Sequence, residues 1–386
     1  MPRIVIVGGG FAGVWSAAGA ARVRSAAHLA EADMSITVIA PNDRLVLRPR
    51  LYEPEPHRAT VALRRVFEPI GVEHRRARVL EIDVENHRVA LDSGTTVDYD
   101  RLVLAAGSQL VRPAFPGAEQ LFDVDTLDGA NRLAGRLRGL KSFTAVVVGA
   151  GFTGLEIATE LAGRGRVVLV ERSEVVGPEL GPGPRPAIEE ALEEVGVQRR
   201  LGTTVTAIED GKVVLPDGTR IAADAVVWTA GLRANPLTAQ IPGPRDGLGR
   251  LSVGPDLNAG NDIFVAGDTA AAPADDAHTT LQSCQHATPL GKTAGHNAAA
   301  DLLGMPPIDF TPAPYVTDID LGAAGAILTR GWDRQVESTG TDGKRLKKWI
   351  MNRIHPPVDN ATEILTAASR IYNPVPTAAE IPPHAA

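Results

Sequence analysis

Two glycine-rich segments of the same pattern, one in each half of the chain, constrain its fold more than any other feature. Residues 8–13 follow an apolar run at 4–7, and residues 149–154 follow a similar run at 145–148. Each reads G-x-G-x-x-G at a strand-to-helix junction, where the glycines allow a tight turn, a close approach to a pyrophosphate and helix–strand packing. Unpaired N–H groups at the helix start face the phosphates. The pair predicts two dinucleotide sites and favours a flavin enzyme that is reduced by a nicotinamide.

Length, charge and cysteine content exclude several classes of protein. A chain of 386 residues is expected to hold two or three domains. Its net charge of −7 argues against a nucleic-acid partner, and no apolar run approaches the ~20 residues of a membrane span. The sequence enters its first strand directly, without a signal peptide, which predicts a cytoplasmic protein. Cys284 is the single cysteine, so no internal disulfide or C-x-x-C redox pair can form, and we expect no metal site.

A loose internal repeat predicts two related units. In each half, the glycine segment is followed by a hairpin and then by an apolar strand that ends in Ala-Gly, which indicates two domains of similar build. The hairpins lie at residues 79–97 and 205–221, and the strands lie at 98–107 and 223–231. A strand at 3–7, a helix from 12 to 30 and a strand at 36–39 predict a parallel βαβ unit in the first half.

The remaining segments do not repeat. An irregular Pro- and Arg-rich loop is predicted at residues 41–56, and a strand at 261–268 ends in Gly-Asp. A long helix is predicted between 280 and 303, beginning near Pro289 or earlier. Residues from 306 onwards mix strand-like and helix-like patches and form a smaller C-terminal portion.

Together these motifs resemble the glutathione-reductase superfamily of flavoproteins, and in particular its type II NADH dehydrogenase and ferroptosis-suppressor-like branch. The resemblance covers residues 3 to about 303. It implies an α/β fold with two Rossmann-like three-layer FAD/NAD(P)-binding domains and a smaller C-terminal portion. The implied divisions are an FAD-binding domain at 1–112 and 240–303, an NAD(P)H-binding domain at 113–239, and an interface or membrane-surface portion at 304–386.

The resemblance implies that the first glycine segment binds FAD. Asp268 would accept hydrogen bonds from the ribityl chain, and Arg48, in an R-P-R-L segment similar to the R-P-P-L of ferredoxin-reductase relatives, would contact the cofactor. The alternative for Arg48 is a solvated basic loop. The family's acidic residue at the end of the second strand is replaced by Ala40, which leaves Asn42, Asp43 or backbone groups to hold the adenosine ribose. The expected FAD-binding residues are Gly8, Gly10, Phe11, Ala12, Gly13, Asn42, Arg48, Ala106, Gly107, Gly267 and Asp268.

The second glycine segment is expected to bind NADH. Glu171 ends the next strand about 20 residues after Gly151, where an acidic side chain binds a ribose 2′-hydroxyl and repels a 2′-phosphate, which favours NADH over NADPH. Arg172 follows it and softens that preference. In relatives a glutamate at the position of Glu156 lies near the nicotinamide. The alternative is that Glu156 has no part in binding and only places a negative charge in the first turn of a helix, where the helix dipole favours it. The expected NADH-binding residues are Gly149, Gly151, Phe152, Thr153, Gly154, Glu156, Glu171 and Gly231.

The acceptor side lacks the cysteines that thiol-based members of the superfamily need. Disulfide, coenzyme-A-disulfide, peroxide and sulfide:quinone chemistry are therefore excluded. Quinone reductases of the family carry A-Q and then Q-Q-G after Gly-Asp, where this chain has Cys284-Gln285 and then Pro289-Leu290-Gly291. The flavin carries the chemistry, and Gln285 and Pro289 are candidates to lie near it. Cys284 is interpreted as a small buried hydrophobe.

Residues 344–354 are basic and amphipathic, with four apolar side chains on one helical face. That face would suit an anionic lipid surface, which predicts peripheral association with the inner face of a membrane. The alternative is a helix packed on the protein body with its lysine stems along the apolar surface. The four side chains are Leu346, Trp349, Ile350 and Ile354. A homodimer is also expected, as in many flavoproteins of this kind.

These features predict an FAD-dependent NAD(P)H oxidoreductase that passes electrons from NADH through flavin to a quinone or another small acceptor, without a redox-active disulfide. One alternative is an NADH-dependent reductase of a small electron-carrier protein, such as a ferredoxin or rubredoxin, which the Arg48-Pro49 segment supports. Another is an NADH-responsive redox binding protein similar to apoptosis-inducing factor.

Overall fold

The computed structural model describes residues 1–369, 375–377 and 380–381. Its helices are α1 (Phe11–Ala26), α2 (Arg64–Phe67), α3 (Leu127–Leu137), α4 (Phe152–Ala162), α5 (Arg185–Glu194), α6 (Cys284–Leu302), α7 (Gly340–Met351) and α8 (Ala361–Ser369). Its strands are β1 (Arg3–Val7), β2 (Ser35–Ala40), β3 (Arg44–Val46), β4 (Thr60–Ala62), β5 (Glu73–Arg76), β6 (Val79–Asp83), β7 (Arg88–Leu91), β8 (Thr96–Asp98), β9 (Arg101–Leu104), β10 (Ser108–Leu110), β11 (Thr144–Val148), β12 (Arg166–Val170), β13 (Gln198–Arg200), β14 (Ala207–Glu209), β15 (Lys212–Val214), β16 (Arg220–Ala222), β17 (Ala225–Trp228), β18 (Leu232–Ala234), β19 (Leu251–Ser252), β20 (Ile263–Val265), β21 (Ala270–Ala271), β22 (Val316–Asp320), β23 (Ala326–Arg330) and β24 (Gln335–Ser338).

Two parallel sheets organise the molecule. The first has the strand order β20-β9-β1-β2-β5, and the second has the order β13-β12-β11-β17. Their central strands are continuous apolar runs because helices cover a parallel sheet on both faces. A three-stranded antiparallel sheet precedes one strand of each parallel sheet in the sequence. The sheet β6-β7-β8 precedes β9, and the sheet β14-β15-β16 precedes β17. The predicted α/β class with two Rossmann-like units is confirmed.

The chain passes between the two sheets at β10 and β18, which pair antiparallel. The first parallel sheet takes four strands from before β10 and then β20, and all four strands of the second parallel sheet lie between β10 and β20 in the sequence. The predicted boundaries at residues 112 and 239 each lie shortly after one strand of this two-stranded link and stay predictions.

Helices α1 and α6 pack against each other and against the first sheet through small residues. A Cβ built at Gly295 would lie 1.9 Å from the Ser16 carbonyl oxygen, and one at Gly19 would lie 2.5 Å from the Lys292 carbonyl oxygen. Only glycine allows the two backbones to approach this closely. The contact fixes the start of each helix beside the carboxyl ends of β1 and β20, where the candidate site lies.

The C-terminal portion is a three-stranded antiparallel sheet, β22-β23-β24, with α7 packed on it. Leu346 of α7 is fully buried and belongs to a small core with Leu328 of β23. A Cβ at Gly343 would lie 2.0 Å from the Ala326 carbonyl oxygen, so helix and sheet touch at the backbone. The apolar face predicted for lipid therefore packs on the protein at Leu346, as the alternative interpretation held.

Three predicted elements differ from the structure. The first helix ends at Ala26, because His28 adopts a left-handed φ of 57°. The loop predicted at 41–56 contains β3, since the strand at residues 60–62 offers it a partner that is not apparent from local composition. Helix α6 begins at Cys284, because the Ser283 hydroxyl accepts the His286 N–H, and Pro289 lies inside it. Among the described residues, none of the helices combines the length and apolarity that crossing a membrane requires.

Candidate functional site

The first glycine loop joins β1 to α1 and leaves open space at one position. Gly8 has a φ of +119°, and a Cβ there would lie 2.2 Å from the Ala105 carbonyl oxygen. A Cβ at Gly13 would lie 1.9 Å from the Gly8 carbonyl oxygen, whereas one at Gly10 would meet no atom within 4 Å. Phe11 begins the helix, so its N–H groups face the space beside Gly10. The loop therefore fits the diphosphate of a dinucleotide.

A cavity of about 340 Å³ opens beside this loop at the carboxyl ends of β1 and β2. Sequence analysis missed its polar lining residues, of which Arg78, Gln109 and Asn235 are the main ones. Asn42, predicted to replace the missing carboxylate, is exposed and is not part of this lining. The polar side chains that line this cavity are amide and guanidinium groups, which come from other segments of the chain.

Arg48 and Asp268 meet across the first site. The Asp268 Oδ2 atom accepts hydrogen bonds from Ser108 Oγ at 2.6 Å and from Arg48 Nη1 at 3.4 Å. The other Arg48 nitrogen donates to Asp125, whose pKa is raised because burial outweighs the attraction of the guanidinium. Ser108 and Asp125 were missed by sequence analysis, although Ser108 directly follows a strand that ends in Ala-Gly. Arg48 is therefore part of a half-buried hydrogen-bond network and not a solvated basic loop.

Two further glycines let the backbone lie close to this network. Gly267 has a φ of +70°, and a Cβ there would lie 2.6 Å from the Ala12 side chain at the start of α1. Gly107, which follows Ala106, has a φ of +72° with open space around it. The polar network, the bare helix start and these glycines fit FAD, whose pyrophosphate and ribityl groups need such partners.

The second glycine loop repeats the geometry of the first and adds a fixed carboxylate. Gly149 has a φ of +105°, and a Cβ at Gly154 would lie 1.8 Å from the Gly149 carbonyl oxygen. Glu171 is buried, and its carboxylate accepts the Ala150 N–H at 2.7 Å and the Ser173 N–H at 2.8 Å. An anionic group is thus held beside the loop at the end of β12, as binding of a ribose hydroxyl requires.

The other residues predicted for NADH surround this loop. Phe152 and Thr153 form the first turn of α4, which begins after Gly151, and Gly231 follows β17 with a φ of +82°. Unlike Gly10, Gly151 does not face open space, because a Cβ there would lie 2.4 Å from the Glu179 carboxylate.

Glu156 faces the C-terminal portion, where it forms a buried ion pair. Its Oε1 accepts from Lys347 Nζ at 2.7 Å and from the Asp320 N–H at 3.2 Å. Burial raises the pKa of Glu156 to about 7, against the opposing charge of Lys347. Burial acts to lower the pKa of Lys347, but the carboxylates of Asp318 and Glu156 outweigh it and hold that pKa well above its usual value. The dipole interpretation of Glu156 missed this partner.

The start of α6, which follows Asp268 in the chain, carries the residues predicted to lie near the flavin. Gln285 donates from Nε2 to the Pro314 carbonyl at 3.2 Å, and Pro289 is buried and, without an N–H, leaves the Gln285 carbonyl free of its usual helical donor. His286 stacks on Tyr315 with 5.7 Å between the ring centroids, and burial lowers its pKa to about 4, so it is neutral at physiological pH.

Cys284 is partly buried, and its thiol is not suited to nucleophilic chemistry. Burial, reinforced by the charge of Asp318, raises the pKa of the thiol to about 12. Since the thiolate is the reactive form, the side chain acts as a small apolar group.

Replacing Cys284 by alanine is expected to leave kcat for NADH oxidation within about twofold of the parent, because no thiolate takes part. The measurement is steady-state NADH oxidation, with the rate of thiol alkylation at neutral pH as a second readout. Rapid alkylation, or a loss of activity larger than tenfold, would contradict the assignment.

Comparison with known proteins agrees with this geometry. The sequence profile described as "Pyridine nucleotide-disulphide oxidoreductase" matches residues 2–291. An NADH dehydrogenase-like protein of Mycobacterium tuberculosis is 43% identical over 97% of this chain and 100% of its own length. Demethylphylloquinone reductase of Synechocystis is 29% identical over 85% of this chain and 86% of its own length.

Among solved structures, the ferredoxin reductase for the CYP199A2 system of Rhodopseudomonas palustris superposes with a TM-score of 0.72 at 25% identity, covering 85% of this chain and 82% of that one. The resemblance predicted from the glycine segments is confirmed. With three quarters of its length matched by the profile, this chain belongs to the pyridine nucleotide-disulphide oxidoreductase family.

Proposed function

We propose that this protein is an FAD-dependent NADH oxidoreductase that passes electrons to a quinone or another small acceptor without a redox-active disulfide. The observation that carries the proposal is the pair of glycine loops on separate parallel sheets, each at a strand–helix junction of matching geometry. Bound FAD would accept a hydride from NADH and release its electrons singly or in pairs to the acceptor.

The chain's own residues supply binding and proton handling. Gly10 and the start of α1 would take the FAD pyrophosphate, and Asp268, held by Ser108 and Arg48, would take the ribityl hydroxyls. Reduction of a quinone to a quinol consumes protons. Glu156, whose pKa burial raises to about 7, would be only partly protonated near neutral pH and could gain or lose a proton beside its partner Lys347, which suits it to that supply.

A quinone is favoured over a carrier protein as the acceptor. The demethylphylloquinone reductase relative supports it. The carrier alternative depended on Arg48, whose guanidinium is engaged by Asp125 and Asp268 and offers little charge for docking.

The test is anaerobic mixing of the FAD-loaded protein with NADH, followed by turnover with a soluble quinone, ferricyanide, oxygen and purified carrier proteins. We expect the yellow absorbance to bleach and the quinone to support turnover. Flavin that stays oxidised would refute the oxidoreductase proposal. Turnover with a carrier protein but not with the quinone would show that the acceptor is the carrier protein. Slow turnover with every acceptor, together with a long-lived charge-transfer complex, would favour the alternative of an NADH-responsive redox binding protein.

We also propose that NADH is preferred over NADPH, on the position of Glu171. Replacing Glu171 by glutamine is expected to reduce the NADH:NADPH ratio of kcat/KM by about tenfold, because the charge that repels a 2′-phosphate is removed. Glu174→Gln, on the same loop, is the matched control and should leave the ratio unchanged. An unaltered ratio in Glu171→Gln would contradict this role.

Location and assembly remain proposals. We propose peripheral association with the inner face of a membrane, supported by two exposed basic side chains, Lys348 on α7 and Arg353 just beyond its end. Partition of the quinone into the bilayer would bring the acceptor to that surface. The cytoplasmic location and the homodimer stay predictions, for which flotation with anionic vesicles and sedimentation analysis are the measurements.

A further inference from the structure

The two glycine loops differ in what occupies the space beside the helix start. At the first loop, a Cβ built on Gly10 meets no atom within 4 Å. At the second loop, a Cβ on the equivalent Gly151 would lie 2.4 Å from Glu179 Oε1, and the same oxygen accepts the Phe152 N–H at 3.1 Å. The N–H group that a pyrophosphate would use at α4 is therefore taken by a carboxylate of the chain itself.

Glu179 is positioned by its backbone rather than by burial of its side chain. It lies in a short 3₁₀ helix, Pro178–Leu180, which follows Gly177 with a φ of +55°. The Glu179 carbonyl accepts a hydrogen bond from Arg334 Nη1 at 2.5 Å. A Cβ at Gly183 would lie 2.9 Å from the Arg334 carbonyl oxygen, so the segment also touches the β23–β24 turn. The backbone is thus fixed while the carboxylate, which is exposed, is free to rotate.

Arg334 connects the same segment to the nucleotide loop. Its guanidinium carbon lies 5.9 Å from the centroid of the Phe152 ring and 5.6 Å from that of Tyr315. A cation in this place favours an anion at the start of α4, whether that anion is a carboxylate or a phosphate.

We propose that Glu179 is an internal competitor of the dinucleotide, one that NADH has to displace in order to bind; this role rests on the proposed function. A pyrophosphate and the Glu179 carboxylate cannot both accept the Phe152 N–H, and like charges at contact distance repel. Rotation of the exposed side chain empties the position. The carboxylate satisfies the helix start when no nucleotide is bound, and it weakens NADH binding without touching the reacting atoms.

The test measures binding of ADP-ribose, which carries the pyrophosphate but has no nicotinamide, to the FAD-loaded protein by calorimetry. Glu179→Ala is expected to lower the Kd for ADP-ribose and the KM for NADH by about two- to fivefold, with kcat unchanged. Glu179→Gln, which keeps a weaker acceptor, should give a smaller gain. Adenosine, which has no phosphate, should bind all variants equally.

Glu174→Gln is the matched control, because its carboxylate lies on the same loop but against Gly202. It should leave both constants unchanged. An unchanged or raised Kd for ADP-ribose in Glu179→Ala, with a parent protein that binds it, would overturn the competitor role alone, and a raised Kd would indicate that Glu179 assists the nucleotide. A parent protein that binds no ADP-ribose and is not reduced by NADH would overturn both this role and the proposed function.

Discussion

Replacing Gly10 by valine is expected to give a folded protein that no longer retains FAD. The backbone at Gly10 is extended, with φ −81° and ψ −170°, so any residue can adopt it. A Cβ there meets no atom of the chain within 4 Å, so the protein itself has room for the side chain. That room is where the first loop faces the cofactor's diphosphate. The expected loss of FAD affinity is at least about 100-fold, or ~2.7 kcal/mol.

The measurement is the flavin absorbance that remains after gel filtration, with circular dichroism and thermal unfolding to establish the fold. Gly135→Ala in α3, which also meets no atom within 4 Å, is the control and should keep its flavin. Gly13→Ala should instead disturb the fold, because its Cβ would lie 1.9 Å from a backbone oxygen. A yellow Gly10→Val protein with the parent's FAD affinity would show that the first loop does not bind the cofactor.

Sequence analysis could predict the glycine loops because their requirements are local. The contact between Gly13 and Gly8 spans five positions of one strand–turn–helix unit, so the spacing of the glycines alone specifies it. The same holds for Glu171, whose carboxylate is placed by the end of its own strand. Parallel strand order then follows from the βαβ repeat.

Contacts between distant segments could not be predicted in this way. Arg48 contacts Asp268, and Glu156 contacts Lys347, although the two residues of each pair are separated in the sequence by a domain's length or more. Nothing in the residues near Glu156 indicates a partner on the C-terminal helix. The amphipathic pattern of α7 is equally suited to lipid and to a protein core, because both require the same apolar stripe. Only the packing of Leu346 against Leu328 distinguishes them.

Replacing Lys347 by methionine is expected to lower the free energy of unfolding by about 3 kcal/mol, because removal of one partner leaves buried charge uncompensated. The Lys347 side chain is 4% exposed, and its ammonium lies 2.7 Å from Glu156 and 3.0 Å from Asp318. Methionine matches the length of the lysine stem, so packing is largely kept. Urea unfolding of the FAD-loaded protein is the measurement, with Lys348→Met, exposed on the same helix, as the control.

The loss in Lys347→Met should also depend on pH, with a sign set by Glu156. Burial raises the pKa of this carboxyl from 4.5 to about 7 in the folded protein, so between these values the folded state binds more protons than the unfolded state. Stability from this group therefore falls as pH rises through that window. Without Lys347 the pKa of Glu156 rises further, so the variant should lose more stability at pH 8 than at pH 5.

The double variant Glu156→Gln/Lys347→Met separates charge from packing. It removes one of the two carboxylates left unpaired by the single change, so its loss should be smaller than that of Lys347→Met and less dependent on pH. A single variant that behaves like Lys348→Met at every pH would mean that the pair contributes nothing to stability. In that case the position of α7 would depend on its contacts with β23, which are the apolar contacts of Leu346 and the backbone contact at Gly343.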